Sequence, residues 1–323
     1  MALAAEGPRL YNSEFPQGLK PSSLERRSGT AEAVPFQVRD CGRLWRAVWA
    51  QFASVTVLLG VLVFVSGSVF CHAQDNYEIQ VYGSETVPPK TTMVELHSNF
   101  LFQGSKTTED GVLPTEHALH ETLEITQGFT PWFETGIYVF TTVPNGQGWK
   151  WVGDHIRPRV RAPESWHWPV GVSLSTEFGY ARPIYSSSVW SLEIRPIVDQ
   201  QKGRLYWSVN PALEKAFTGP ESRRGWEFSP AAKISWNFTT VVAFGLEYYA
   251  GFGPVSGFDS FPYQAQQFVP AFDLNVSPKW EINFGLGIGV TRVTDHMLFK
   301  AIIGRRFDWG KPKRPASNDD PKP

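Results

Sequence analysis

Alternation with a period of two residues constrains this chain more than any other feature. From Gln74 onward nearly every segment carries apolar residues at every second position, and no helical period lasts. Between Pro169 and Arg182, one face holds Val170, Val172, Leu174, Thr176, Phe178 and Tyr180. The other holds Gly171, Ser173, Ser175, Glu177, Gly179 and Ala181. Next come Trp190, Leu192, Ile194, Pro196 and Val198 against Glu193, Arg195 and Asp199. The pattern predicts twelve strands, over 92–102, 117–129, 132–143, 149–161, 169–182, 189–199, 203–216, 226–238, 241–251, 264–276, 279–292 and 296–309.

These strands are long. Soluble sheets use strands of about 5–6 residues, whereas a tilted strand needs about 9–11 to cross a membrane. The connections are also asymmetric. Longer loops such as 103–116 and 252–263 follow odd-numbered strands, and tight turns such as Thr130-Pro131, Gln200-Gln201-Lys202 and Ser277-Pro278 follow even-numbered ones. Long loops at one end and short turns at the other mark a membrane barrel, and an even count lets the last strand close antiparallel on the first. A β-sandwich or lipocalin-like barrel would show the same alternation. Strand length, loop asymmetry and the gathering of Trp132, Trp149, Trp151, Trp190, Trp207, Trp226, Trp280 and Trp309 near strand ends favour the membrane. The expected fold is all-β: a single transmembrane antiparallel up-and-down β-barrel of about twelve strands over 92–309, preceded by a signal peptide.

Composition agrees. Aromatics make up 14% of the 323 residues and charged residues 19%, which excludes a coiled coil or a disordered chain. A net charge of −1 offers no basic field for nucleic acid. The two cysteines, Cys41 and Cys71, are too few for a disulfide scaffold or a four-thiolate zinc site.

Ahead of the alternating region, Arg43 and Arg46 precede an apolar stretch to Phe70, followed by Cys71-His72-Ala73. This predicts a signal peptide over 43–73, cleaved near Ala73; the alternative is an uncleaved span. Residues 1–42 lack periodicity and read as a disordered N-terminal extension, or as the product of a mis-set start with Val34 or Val38 as initiator. Cleavage would remove both cysteines and leave a net charge of −3. Residues 74–91 form a periplasmic N-terminal segment, whose Tyr77–Tyr82 stretch either tucks inside the barrel or adds a short periplasmic strand. Residues 310–323 form a flexible C-terminal tail.

If the apolar faces meet lipid, the other faces line a lumen with His97, Glu124, Arg157, Glu177, Glu193, Arg195, Asn210, Lys233, Glu247 and Lys300. Such groups are costly against lipid, about 2–4 kcal/mol for a midplane Arg or Lys. Twelve strands tilted about 40° and about 4.8 Å apart give a backbone radius of roughly 12 Å. The lumen is then either a polar channel or a salt-bridge network that leaves little opening. Gly285, Gly287 and Gly289 all face inward, which permits bending or close approach by another part of the chain. Gly285-Leu-Gly-Ile-Gly289 lacks the third glycine and the helix of a nucleotide loop.

Gly304, Phe307 and Trp309 carry a family resemblance. Gly304-Arg305-Arg306-Phe307-Asp308-Trp309 resembles the terminal signal that the barrel-assembly machinery reads in bacterial outer-membrane proteins, although Ile302 stands where that signal has a polar residue and a tail follows. Over 74–309 the chain resembles transporter-like outer-membrane β-barrels of Gram-negative bacteria, including those associated with aromatic-degradation pathways. The resemblance implies a location in the outer membrane and, as partners, outer-membrane lipid, the assembly machinery and small solutes. It implies no substrate.

The expected function is a channel or transporter for small polar or amphipathic solutes. The alternatives are a largely plugged structural barrel and, less favoured, a lipid-acting barrel hydrolase. A hydrolase needs a nucleophile and base at the outer rim, and the one candidate, His296, has no evident partner. No catalytic residue, cofactor, metal or nucleic acid is expected. His97, His117 and His120 read as polar wall or loop residues.

Overall fold

The computed structural model describes residues 76–310. The expected extension and signal peptide, both cysteines and the tail beyond Gly310 lie outside the described residues.

Twelve strands close into a ring. β1 (Thr91–Gln103), β2 (Leu119–Thr130), β3 (Phe133–Val143), β4 (Lys150–Arg161), β5 (Gly171–Ala181) and β6 (Trp190–Lys202) are unbroken. β7 runs in two pieces, Leu205–Asn210 and Leu213–Thr218, and β8 likewise, Trp226–Phe228 and Ala231–Asn237. β9 is Val242–Gly251 extended by Gly253–Pro254, and β10 (Ala265–Leu274), β11 (Trp280–Gly289) and β12 (Met297–Asp308) complete the set. Every pairing is antiparallel and sequential, and β1 pairs β12 from Thr91↔Asp308 to Phe100↔Phe299, which closes the barrel.

The interruptions have a local cause. Pro211 and Pro230 sit at the two breaks and lack the N–H that a ladder needs. Backbone bonds across the gap keep the wall continuous: Ser229 N–H donates to Ala212 O at 3.0 Å and Ala250 N–H to Pro230 O at 3.0 Å. Gln200, Gln201 and Lys202, expected as a turn, instead complete β6 opposite Trp207, Tyr206 and Leu205. The turn falls at Gly203-Arg204, where Gly203 takes a φ of 60° that favours glycine.

The barrel is inverted relative to a soluble one. Outward residues such as Ile137, Ile234 and Ile303 are more than half exposed, at 53%, 53% and 52%. Inward residues include buried Ser173, Ser175, Glu177 and Lys300. A continuous exposed apolar belt over a polar interior is the surface of a barrel set in lipid. Exposed aromatics border the belt at both ends: Trp149, Trp151 and Trp190 near the long loops, and Phe129, Trp132, Trp166, Trp236 and Trp309 near the short turns.

Candidate functional site: the barrel interior and its N-terminal strap

The interior holds charged side chains that two or three strands supply together. On β4, Arg157 binds Glu124 of β2 and lies 3.6 Å from Glu134 of β3, while Arg159 Nε is 2.7 Å from Glu134. Gly136, between them on β3, leaves the room: a Cβ there would come within 3.4 Å of both Arg157 Nη2 and Glu124 Oε1. On β5 and β6, Glu177 accepts from His155 at 2.5 Å and Glu193 pairs with Arg195 at 2.6 Å. Across the lumen, Glu247 of β9 takes Lys300 of β12 at 2.5 Å and Lys233 of β8 at 3.2 Å, and Lys233 reaches Asp273 of β10 at 2.7 Å. His97 is fully buried with Nε2 3.5 Å from Glu124 Oε2. Asn210 is also fully buried. Of the ten residues singled out in the sequence, His97, Glu124, Arg157, Glu177, Asn210, Glu247 and Lys300 are buried, and Glu193, Arg195 and Lys233 are half-buried.

The segment before β1 lies inside the ring of strands, the first of the two arrangements its alternation allows. Residues 76–87 run as an extended strap through the lumen from the loop end to the turn end, and Tyr77, Ile79, Val81, Tyr82 and Val87 are all buried. The strap joins no sheet, so wall side chains satisfy its backbone. Asn99 donates to Asn76 O at 2.8 Å and Thr122 to Tyr77 O at 2.7 Å. Tyr82 N–H donates to Asn210 Oδ1 at 2.7 Å, and Ser208 donates to Tyr82 O at 2.6 Å. Arg159 donates to Gly83 O and Glu85 O, at 3.1 and 2.6 Å. Val87 N–H donates to Glu134 at 2.5 Å and Ser84 N–H to Asp199 at 3.1 Å.

The strap alternates as the wall strands do. Ile79 and Val81 pack on an apolar patch of Leu101, Ala231, Tyr249, Val269, Ala271 and Leu298. Gly285 and Gly287, beside Ala271 and Leu298 in register, keep this wall low. On the other side the Tyr82 ring lies under three guanidinium groups, those of Arg157, Arg195 and Arg159, at 4.7, 5.1 and 5.7 Å. Its hydroxyl donates to Glu78, which is also 3.8 Å from Arg195. At the loop end Asn76 donates to Asp295, which also accepts from Ser105 N–H at 2.9 Å and Thr115 at 2.8 Å. Burial raises the Asp295 carboxyl above its ordinary range.

Two cavities flank the strap. One of about 370 Å³ opens among the long loops, and one of about 990 Å³ opens among the short turns. Gln80 is the single residue that lines both. Eight carboxylates face three arginines around the loop-end cavity, and seven face four around the other.

The geometry is that of a closed twelve-stranded antiparallel β-barrel with an apolar outer surface and a polar interior. No family model and no curated protein sequence matches the chain. Among solved structures, a KdgM porin is similar with 9% identity and a TM-score of 0.46, over 67% of this chain and 99% of that one. The COG4313 outer membrane channel from Pseudomonas putida F1 is similar with 10% identity and a TM-score of 0.44, over 71% of this chain and 100% of that one. A NanC porin is similar with 10% identity and a TM-score of 0.43, over 65% and 97%.

Glu95, Glu134, Arg159, Ser208 and Asp273 also make contacts in this interior and were not singled out from the sequence. Glu95 shares parity with His97, Arg159 with Arg157 and Ser208 with Asn210, whereas Glu134 on β3 and Asp273 on β10 lie on strands from which no residue was singled out. Parity carried along the strands finds the first three. The contacts made by Tyr82 and Glu78 had no such signal, because the strap belongs to no hairpin.

The terminal-signal residues lie on or just past β12. Gly304 faces Glu95, Phe307 is exposed, and Trp309 Nε1 donates to Thr92 at 2.7 Å.

Proposed function

We propose that the protein is an outer-membrane channel for small polar solutes, favouring cations, whose constriction is its own N-terminal strap. The observation that carries this reading is the pair of cavities entering from opposite ends, with Gln80 of the strap lining both. A barrel serving only as a support needs neither cavity, and filling its lumen with apolar side chains would satisfy it. The excess of carboxylates around both cavities supports cation preference, because like charges focused by low-dielectric walls raise the local concentration of counter-ions. A row of acids supplies much of this field at the loop end. Glu177, Glu193, Glu214 and Glu227 stand directly across from one another on β5 to β8.

Planar-bilayer recording tests the reading. The processed protein should give small, cation-selective currents, with a reversal potential that moves toward zero as salt screens the acidic row. Deleting residues 76–87 should raise single-channel conductance several-fold while the barrel keeps its heat-modifiable gel migration. Absence of current from both proteins would leave the plugged structural barrel as the reading.

A further inference from the structure

We propose that the β1–β2 wall holds a divalent transition-metal site made by Glu95, His97 and Glu124, with Zn²⁺ as the representative ion. One ligand atom from each residue lies within 4.8 Å of the other two, and all three side chains are buried.

The backbone explains the cluster. Glu95 and His97 are two apart on β1 and so share the inward face, and Glu124 stands directly opposite Glu95 on β2. Two carboxylates facing each other across a strand pair repel. Arg157 relieves only part of this. It occupies Glu124 Oε1, which Thr126 also uses at 2.6 Å, and leaves Glu124 Oε2 turned toward His97.

The free atoms point to a ligand. Glu95 Oε1, Glu124 Oε2 and both ring nitrogens of His97 are buried without a hydrogen-bond partner among the described residues. Buried polar atoms are nearly always satisfied, yet here His97 Nε2 and Glu124 Oε2 have only each other as a loose ion pair, and Glu95 Oε1 and His97 Nδ1 have no partner among the described residues. The His97 Nε2 to Glu124 Oε2 separation of 3.5 Å is long for a hydrogen bond. It matches the edge of about 3.4 Å between two ligands of a tetrahedral ion whose bonds are about 2.1 Å. One imidazole and two carboxylates form a donor set suited to Zn²⁺ and its first-row neighbours rather than to Ca²⁺ or Mg²⁺, which take oxygen alone.

Space and access are present too. Gly304 lies across from Glu95 on β12, where a Cβ would fall 2.7 Å from Glu95 Cγ, so glycine gives that side chain its seat. Glu95 and Glu124 both line the turn-end cavity, which provides a route for the ion and an open position for water. The sequence reading took His97 for a wall residue because its partners lie on the same strand two residues away and on the next strand, a spacing no linear metal motif describes.

The test uses untagged protein, processed at Ala73, folded in detergent and stripped with chelator. Calorimetric titration with Zn²⁺ at neutral pH should show one ion bound per chain, and the temperature at which the folded gel band is lost should rise. Substituting Co²⁺ should give visible absorption bands of a four- or five-coordinate ion. His97→Ala and Glu95→Gln should weaken Zn²⁺ binding at least tenfold and abolish the Co²⁺ bands, whereas His117→Ala, on an exposed loop, should leave both unchanged. No stoichiometric Zn²⁺ on the folded wild-type protein would overturn the proposal, as would binding that survives in folded Glu95→Gln and His97→Ala. The wild-type titration decides even where a variant fails to fold.

Discussion

The two sides of the lumen hold the same strap by different physics. The side built from β2 to β6 is charged: Arg157, Arg159 and Arg195 converge on Tyr82 while carboxylates of β2, β3 and β6 hold them in place. The side built from β8 to β12 and the end of β1 offers small and branched apolar residues to Ile79 and Val81. Charged groups fix position, because they need partners at set distances. An apolar seat supplies adhesion without direction. The strap therefore has its register set from one side and much of its burial from the other.

Breaking the charged side should have the largest effect. Arg157→Ala leaves Glu124 without its cation and takes one from Glu134, both fully buried. Removing one partner of a buried pair costs about 3–5 kcal/mol. Urea titration of the folded gel band should show that loss. A variant with unchanged stability would mean that water already reaches these carboxylates.

Comparing inside with outside is next in size. Leu174 faces lipid and Ser175 the lumen on the same strand. Leu174→Arg should weaken folding into bilayers by about 2–4 kcal/mol. Ser175→Arg should fold and reduce conductance. Equal folding defects would contradict the assignment of the two faces.

The apolar side should respond more gently. Ile79→Ala removes buried methyl groups, a change of about 2 kcal/mol at the low end of such truncations. The strap contributes no strand to the ring, so this should appear in bilayer recordings as more frequent or larger open events, with little change in the folded gel band. The same change on the charged face of the strap, Tyr82→Ala, should open the channel further, since it removes contacts to three arginines at once.

Much of this was legible in the sequence, for one reason. A barrel wall is a set of hairpins, and a hairpin writes itself as alternation and turns. All twelve strands lie where the period predicted them, with ends displaced by a few residues where proline, Gly203 or a loop decides. The same parity marks positions such as His97, Glu124 and Arg157, which are buried. What alternation does not encode is who meets whom across the lumen. Arg195 meets Glu193 two residues away on its own strand, a contact that parity allows, but it also reaches Glu78 of the strap. The inward glycines of β11 announced a close approach without naming its occupant. The strap was one of two open readings because Tyr77–Tyr82 alternates whether it pairs at an edge or threads a lumen.

The central claim is that the N-terminal segment occupies the lumen, and a cross-link tests it most directly. A Cβ built on Gly171 of β5 falls 3.1 Å from Ser84 Cβ of the strap. Disulfides span Cβ separations of about 3.5–4.5 Å, a few tenths of an ångström away. Both natural cysteines precede residue 74, so protein produced from Gln74 onward carries no competing thiol. In the double variant Ser84→Cys, Gly171→Cys, mild oxidation of folded protein in membranes should form the disulfide nearly completely. Denatured, the product should migrate faster on a non-reducing gel, and reduction should reverse the shift. Two thiols that stay free under oxidation and react fully with a maleimide in the folded barrel would place the segment outside the lumen and contradict the account.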